Sequence, residues 1–278
     1  MENKFEDRNQ NINFPPQKVL HAFNLTGDPI LLSGGQGNSF LVDNVVLKPT
    51  KDVQEASWLA EINNSLISNE FRVPKPIRAN DNSWVFEGWT ANTFLSGEHI
   101  PGNYSGVIDV SKVFHKALIG IPKPDFFDQR NTVWSVADKI AWGELPLPDF
   151  ALTNNPLLKI FKLLRKNELP NQLIHGDMGI GNVLFDKKLP PAVIDFSPYF
   201  RPADFAIAIM MIDALVFENA DKSILNLGKD FKDFNQLLLR ALVRRICEYI
   251  GHQTHKEASK DFSPEIIKHL QIIDIISK

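Results

Sequence analysis

One cysteine and a net charge of only −3 in 278 residues each remove a class of protein from consideration. Cys247 has no partner for an internal disulfide, so a reducing compartment is expected, and a small buried side chain is its ordinary role. The balance of 30 basic against 33 acidic residues lacks the basic surplus of a nucleic-acid binder. It is also too slightly acidic to argue for a cationic partner. No apolar run reaches the length of a membrane span, and the opening MENKFEDRNQ has no apolar stretch of the kind a secretory signal carries. The expectation is a cytoplasmic protein, monomeric or weakly dimeric, that engages neither membrane nor nucleic acid.

What is present is an ordinary globular composition, 44% apolar and 23% charged, enough to bury a sizeable core. Residues 1–13 read as a loosely held polar tail. Short apolar runs at 29–32, 39–42 and 44–48 are separated first by Gly34, Gly35 and Gly37, then by Asp43 and Asn44, which predicts a strand, a glycine-rich turn and a hairpin. A helix is expected over about 51–67. The prolines of RVPKPI at 72–77 demand extended chain. SWVFE and GWTA, at 83–91, predict a second hairpin turning near Glu87 and Gly88. After about residue 100 helical patterns take over, at 108–118, 132–142, 155–165, 204–217, 231–250 and 264–276. The texture is that of an α+β protein with a β-rich first part and a helical second part.

Two strand-like runs interrupt the helices, and they carry the polar residues. LIHGDMGIGNVLF at 173–185 places His175, Asp177 and Asn182 around glycines, and AVIDF at 192–196 ends near Asp195. A loop can aim Asp177 and Asn182 into one cleft. Asp177 could accept a proton, while the Asn182 amide oxygen and Asp195 are hard oxygen ligands of the kind magnesium takes alongside substrate phosphates. Phosphoryl transfer needs such a set. Upstream, the glycines of SGGQGNSF at 33–40 would let backbone N–H groups approach phosphate oxygens. Lys48 ends the third run. On the following helix Glu55 shares a face with Leu59, Ile62 and Leu66. An acid on that face asks for a cation, and Lys48 is the obvious one, with Glu61 the alternate acid.

The spacing H-G-D-x-x-x-x-N followed by I-D resembles the aminoglycoside phosphotransferase family, within the protein-kinase-like superfamily that also holds choline, homoserine and fructosamine kinases. The order of parts over about 28–218 is similar too. The resemblance implies a protein-kinase-like two-lobe fold. Its N-lobe, residues 14–95, would be a small antiparallel β-sheet with one helix, and its C-lobe, residues 96–278, larger and mainly α-helical. It also implies an ATP-dependent phosphotransferase, with GTP as the other donor, that uses Mg2+ and a hydroxyl of a small molecule as acceptor. In that scheme Asp177 is the catalytic base, His175 braces its loop and Asp204 anchors it. Asn182 and Asp195 hold magnesium. Gly34, Gly35, Gly37, Asn38 and Ser39 form the phosphate loop, Lys48 contacts the phosphates braced by Glu55, and the adenine bonds backbone near 91–96. The chain departs from the family where Met178, Gly179, Ile180 and Gly181 replace a frequent His-Pro pair, and in having Ser197 two residues after Asp195. No cation stands two residues after Asp177, so charge neutralisation would fall to magnesium, Lys48 and backbone N–H groups.

Other signals read more plainly. Trp84, Phe86 and Trp89 suit the first lobe's core, with a place beside the adenine the lesser reading. His252 and His255 make an H-x-x-H pair with no further ligands nearby. Arg240, Arg244 and Arg245 form a basic helical stripe, read as a solvated face or as ion pairs to nearby acids. The acceptor site would draw on loops in 120–150 and 196–203, where Asp125, Asp128, Glu144 and Asp149 suit a cationic acceptor and Lys123, Arg130 and Arg201 an anionic one. Two rival functions remain: a silent nucleotide-binding protein of the same fold, and a metal-dependent hydrolase built on His175 and Asp177.

Overall fold

The computed structural model describes residues 13–33, 37–147, 155–254 and 261–276. Gly34, Gly35, Asp149 and His255 lie outside these residues, as does all but the end of the 1–13 segment. The chain divides into two compact units, Met1–Ser68 with Arg72–Ser96, and Asn69–Phe71 with Gly97–Lys278.

The first unit is an antiparallel sheet with helices α1 (Gln17–Ala22) and α2 (Val53–Ser65). Its strands are β1 (Ile30–Leu31), β2 (Phe40–Val42), β3 (Val45–Pro49), β4 (Pro76–Ile77), β5 (Val85–Phe86) and β6 (Trp89–Thr93). They run in the order β1-β2-β3-β6-β4, and β5 also pairs with β6. The hairpins follow from the turn residues. Glu87 and Gly88 both take positive φ, 46° and 77°, the geometry of a tight turn whose twist matches its strands. Asp43 does the same with φ 53° between β2 and β3. Val19, Leu20 and Phe23 pack with Phe40, Val42, Leu47 and Trp89 as one apolar cluster, against which Phe86 rests. Helix α2 starts at Asp52, whose side chain accepts the Glu55 N–H at 2.8 Å, an N-cap of the usual chemistry. It ends where Lys75 reaches back to donate to the carbonyls of Asn63, Asn64 and Leu66, a cation at the helix's negative end.

The second unit is mainly helical: α3 (Tyr104–Ala117), α4 (Phe126–Gln129), α5 (Val133–Ala141), α6 (Asn155–Leu163), α7 (Phe205–Phe217), α8 (Phe234–Thr254), α9 (Ser263–Gln271) and α10 (Ile273–Ile276). Ten of the 13 residues of α7 are buried, and the half-buried Asp213 is the one charged residue of the helix. Helix α8 packs along α5, α7 and α9. Among the described residues no helix is long and apolar enough to cross a membrane. The segment expected over 108–118 begins four residues sooner because Asn103 caps it, accepting the Gly106 N–H at 3.3 Å. PYFR at 198–201, read from sequence as loop, is a strand, β10 (Pro198–Arg201), antiparallel to β7 (Gln172–His175). A second short ladder joins β8 (Val183–Leu184) to β9 (Ala192–Val193).

Two of the buried histidines of this unit, His115 and His269, should make it acid-sensitive. Burial pushes His115 down to about 3, with His175 beside it adding to the effect, and burial pushes His269 down to about 4. Unfolded, both would take up a proton near pH ~6.5. Stability is therefore full above that pH and falls as pH drops toward the folded values, by up to about 1.4 kcal/mol per pH unit for each histidine. Urea unfolding at about pH 7.5 and about pH 5 should show a loss of roughly 2 kcal/mol per histidine, and His269→Gln should flatten the slope.

Candidate active site

The polar residues of the two strand-like runs come together within the second unit. Strand β7 delivers His175, and a short 3₁₀ turn over Ile180–Asn182 leads into β8. The β8–β9 ladder pairs Val183 with Val193, and the Ile194 N–H donates to the Asn182 carbonyl at 3.0 Å. Asn182 and Asp195 thus stand at the same end of one ladder. Asp195 is exposed, with φ 50°, a left-handed conformation that aspartate adopts more readily than most non-glycine residues.

His175 is fully buried and joins these parts. Its Nδ1 accepts the Asp177 N–H at 3.2 Å, so its Nε2 donates to the Ile194 carbonyl at 3.1 Å. Its own N–H donates to Nε2 of His115 at 3.0 Å, and the Nδ1 hydrogen of His115 turns to the Ser111 hydroxyl at 3.0 Å. Burial lowers the pKa of His175, so it braces the loop as a neutral ring. The Asn182 amide donates to the Asp177 carbonyl at 2.6 Å. His99 Nδ1 donates to the carbonyls of Ile180 and Val183 at 2.9 and 3.1 Å. Side-chain bonds therefore hold the loop at both ends.

Asp177 itself has a partner that the sequence did not predict. Its Oδ1 accepts from Arg245 of α8 at 2.6 Å. Burial pushes the Asp177 carboxyl up, but the charge and hydrogen bond of Arg245, helped by His175 and Arg244, outweigh it and hold the group below the usual carboxylate range. Arg245 also binds Asp213 and Glu248. Its neighbour Arg244 donates to the Gly176 carbonyl at 2.9 Å. Burial pushes Asp213 up to about 6 against the pull of Arg245. The arginine stripe is thus not a solvated face: Arg240 and Arg244 are buried, the ion-pair reading holds for Arg244 and Arg245, and Arg240 donates instead to the carbonyls of Ala141 and Arg165. The signal lay in the sequence. Leu237, Ala241, Arg244 and Glu248 share one helical row, and Asp213 stands alone in an apolar helix.

Asp204 precedes α7 and, among the described residues, its side chain makes no hydrogen bond to this loop. Burial raises its pKa, with Lys112 pulling the other way. The loop contacts expected of it are made here by Arg244 and Arg245. The charges proposed for an acceptor are also largely spoken for. Arg201 is buried, donating to Asp138 at 2.9 and 2.6 Å and to Glu144 at 2.6 Å, and Lys123 pairs with Asp128 at 2.5 Å. Arg130 donates to the Pro198 carbonyl at 2.8 Å and lies over the rings of Phe127 and Tyr199.

Gly176 is required sterically. A Cβ there would stand 2.2 Å from the Tyr199 ring, and that ring is sandwiched by Arg244 and Arg130, 4.2 and 4.9 Å from its centroid. Gly176→Ala should lower unfolding stability by about 1–3 kcal/mol, read by urea titration, and should displace the loop.

In the first unit, Gly37 takes φ 68°, Ser39 accepts the Leu32 N–H through its carbonyl at 2.9 Å, and Asn38 Oδ1 is buried without a hydrogen-bond partner. Lys48 lies on β3 opposite Thr90, and Glu55 lies half-buried in the first turn of α2. Glu61 accepts from the Trp84 indole at 2.5 Å and from Arg78 at 3.3 Å, so those groups already engage the alternate acid.

Among the described residues no group of three or more His, Cys, Asp or Glu could hold a metal. Asn182 and Asp195 instead offer two hard oxygens at one ladder end. With its amide N–H₂ turned to Asp177, Asn182 keeps its oxygen for such a role. That donor set fits a magnesium ion taking its other ligands from water and phosphate.

Comparisons with known proteins agree with this reading of the fold. The profile of the APH phosphotransferase enzyme family matches residues 32–217. The chain is similar to spectinomycin phosphotransferase APH(9)-Ia, solved with ADP and spectinomycin, at 14% identity and TM-score 0.59, covering 94% of this chain and 96% of that one. It is similar to aminoglycoside 2'-phosphotransferase-IIIa, solved with GDP, at 14% identity and TM-score 0.56, covering 91% and 93%. A variant of APH(4)-Ia in a ternary complex with ADP and hygromycin B matches at 14% and 0.59, covering 94% and 97%. At such identities the likeness to these structures is one of fold. Among curated proteins none matches.

Proposed function

The chain belongs to the phosphotransferase enzyme family, and on that premise we propose that it moves the γ-phosphoryl group of ATP or GTP to a hydroxyl of a small molecule. The observation that carries the proposal is the meeting of Asp177, Asn182 and Asp195 around one loop and one ladder end, braced by His175. Asp177 orients the acceptor hydroxyl and takes its proton. Phosphoryl transfer passes through a loose transition state in which positioning matters more than basicity, so a carboxylate kept ionised by an arginine remains suited to the task.

Asn182 and Asp195 would hold magnesium, which when bound neutralises charge on the phosphate oxygens. In the first unit Gly34, Gly35, Gly37, Asn38 and Ser39 would form the phosphate loop. Lys48, braced by Glu55, would supply the remaining cation. The structural neighbours are named spectinomycin and aminoglycoside phosphotransferases, solved with ADP or GDP and, in separate complexes, with spectinomycin, hygromycin B or kanamycin, which makes those three the first acceptors to try.

The test is magnesium-dependent ADP or GDP release by the full chain against a panel of hydroxyl compounds that includes those three. Release above the water background with at least one acceptor supports the proposal. Nucleotide binding with no release from any member would favour the second reading, a silent nucleotide-binding protein, which draws on the same Asp177–Arg245 pair as a lock on the base.

A further inference from the structure

The arginines of α8 converge on the loop that carries Asp177. Each nitrogen of the Arg245 guanidinium is engaged. Nε donates to Asp213 Oδ1 at 2.9 Å, Nη1 to Glu248 Oε2 at 2.8 Å, and Nη2 to the second Asp213 oxygen and to Asp177 Oδ1, the latter at 2.6 Å. Glu248 uses its other oxygen on Arg244 Nε at 2.8 Å. Arg244 in turn holds the Gly176 carbonyl and stacks on Tyr199. Two acids thus fix the orientation of one planar fork, and its remaining hydrogen bond points at the proposed base.

The carboxylate is held asymmetrically. Oδ1 is bonded to Arg245, while Oδ2 has only a long contact of 3.4 Å from the Asn182 amide. The Asp177 side chain is 44% exposed. Met178 to Gly181 offer no side-chain donor to aim it, so its rotamer is set from α8.

We infer that Arg245 is a positioning residue for phosphoryl transfer, whose planar fork holds Asp177 with Oδ2 turned to the acceptor hydroxyl. The inference rests on the function proposed above. A planar fork buttressed on two sides cannot be reproduced by a lysine ammonium, so the geometry rather than the charge is what counts.

The test uses the full chain with ATP, magnesium and the best acceptor of the panel, or water if none exceeds it. Arg245→Lys should lower kcat about 10–100-fold, the scale of a small misplacement of a reacting group, and leave KM for ATP within about threefold. Placed in an Asp177→Asn background, the same substitution should cost little more, because a residue that acts through Asp177 has nothing left to position. Wild-type kcat in Arg245→Lys would overturn the inference. So would an equal further loss in the Asp177→Asn background, the mark of a merely structural part. If Arg245→Lys fails to fold, Asp213→Asn loosens the same fork from its far side. It should lower kcat in the same non-additive way, by about 3–10-fold; additive or absent loss there overturns the inference equally. A wild-type turnover indifferent to Asp177→Asn would instead bring down the proposed function, and this inference with it.

Discussion

Asp177→Asn should reduce phosphoryl transfer by ~10²–10⁴-fold while nucleotide affinity stays within about threefold. The substitution keeps the shape of the side chain and can keep its bond to Arg245, since an amide oxygen accepts where Oδ1 accepted. The other end of the side chain then changes from acceptor to donor. The atom expected to face the acceptor hydroxyl becomes an N–H₂ that can neither orient that proton nor receive it. Asn182 loses only its long 3.4 Å contact to Oδ2 and keeps the 2.6 Å bond of its amide to the backbone carbonyl of residue 177. Single-turnover kinetics beside an equilibrium binding titration separates the two quantities. Unchanged turnover would remove Asp177 from the mechanism.

Asp195→Asn should act on the other axis, weakening magnesium-dependent nucleotide binding by ~10–100-fold, the size of one lost charge-assisted contact. Asparagine tolerates left-handed backbone about as well as aspartate does, so φ 50° at this position is no obstacle and folding should be preserved. Binding measured with EDTA in place of magnesium should differ little between wild type and variant. A loss that persists in EDTA would mean that Asp195 supports the ladder end rather than a cation.

The features legible in the sequence are the local ones. Glu87-Gly88 between two apolar runs predicts its tight turn because Gly88 takes positive φ freely, and Glu87 follows it there with φ 46°. The four residues between Asp177 and Asn182 predict a loop that returns on itself, and the Asn182 amide closes it onto the carbonyl of residue 177. Nonlocal pairing was not legible. PYFR reads as loop because four residues beginning with proline carry little strand signal, yet β7 supplies a partner for all of them. Once β10 is in place, Arg201 turns inward to Asp138 and Glu144, and charges that look free for a substrate neutralise one another. Arg245 was left between a solvated face and an ion pair for a similar reason. A charge on a helix is usually solvated, and only the packing of α8 against α7 brings it to Asp213. The identity of the acceptor is illegible in both sequence and fold, because the loops that would read it carry internally paired charges.

The most direct test of the central claim uses Mn2+ in place of magnesium with a non-hydrolysable ATP analogue, read by paramagnetic broadening of backbone amide resonances in the full chain. Asn182 and Asp195 should broaden together, along with their immediate neighbours, and the effect should disappear in Asp195→Asn. Broadening centred away from that ladder end, with these two resonances sharp while the nucleotide is bound, would contradict the account.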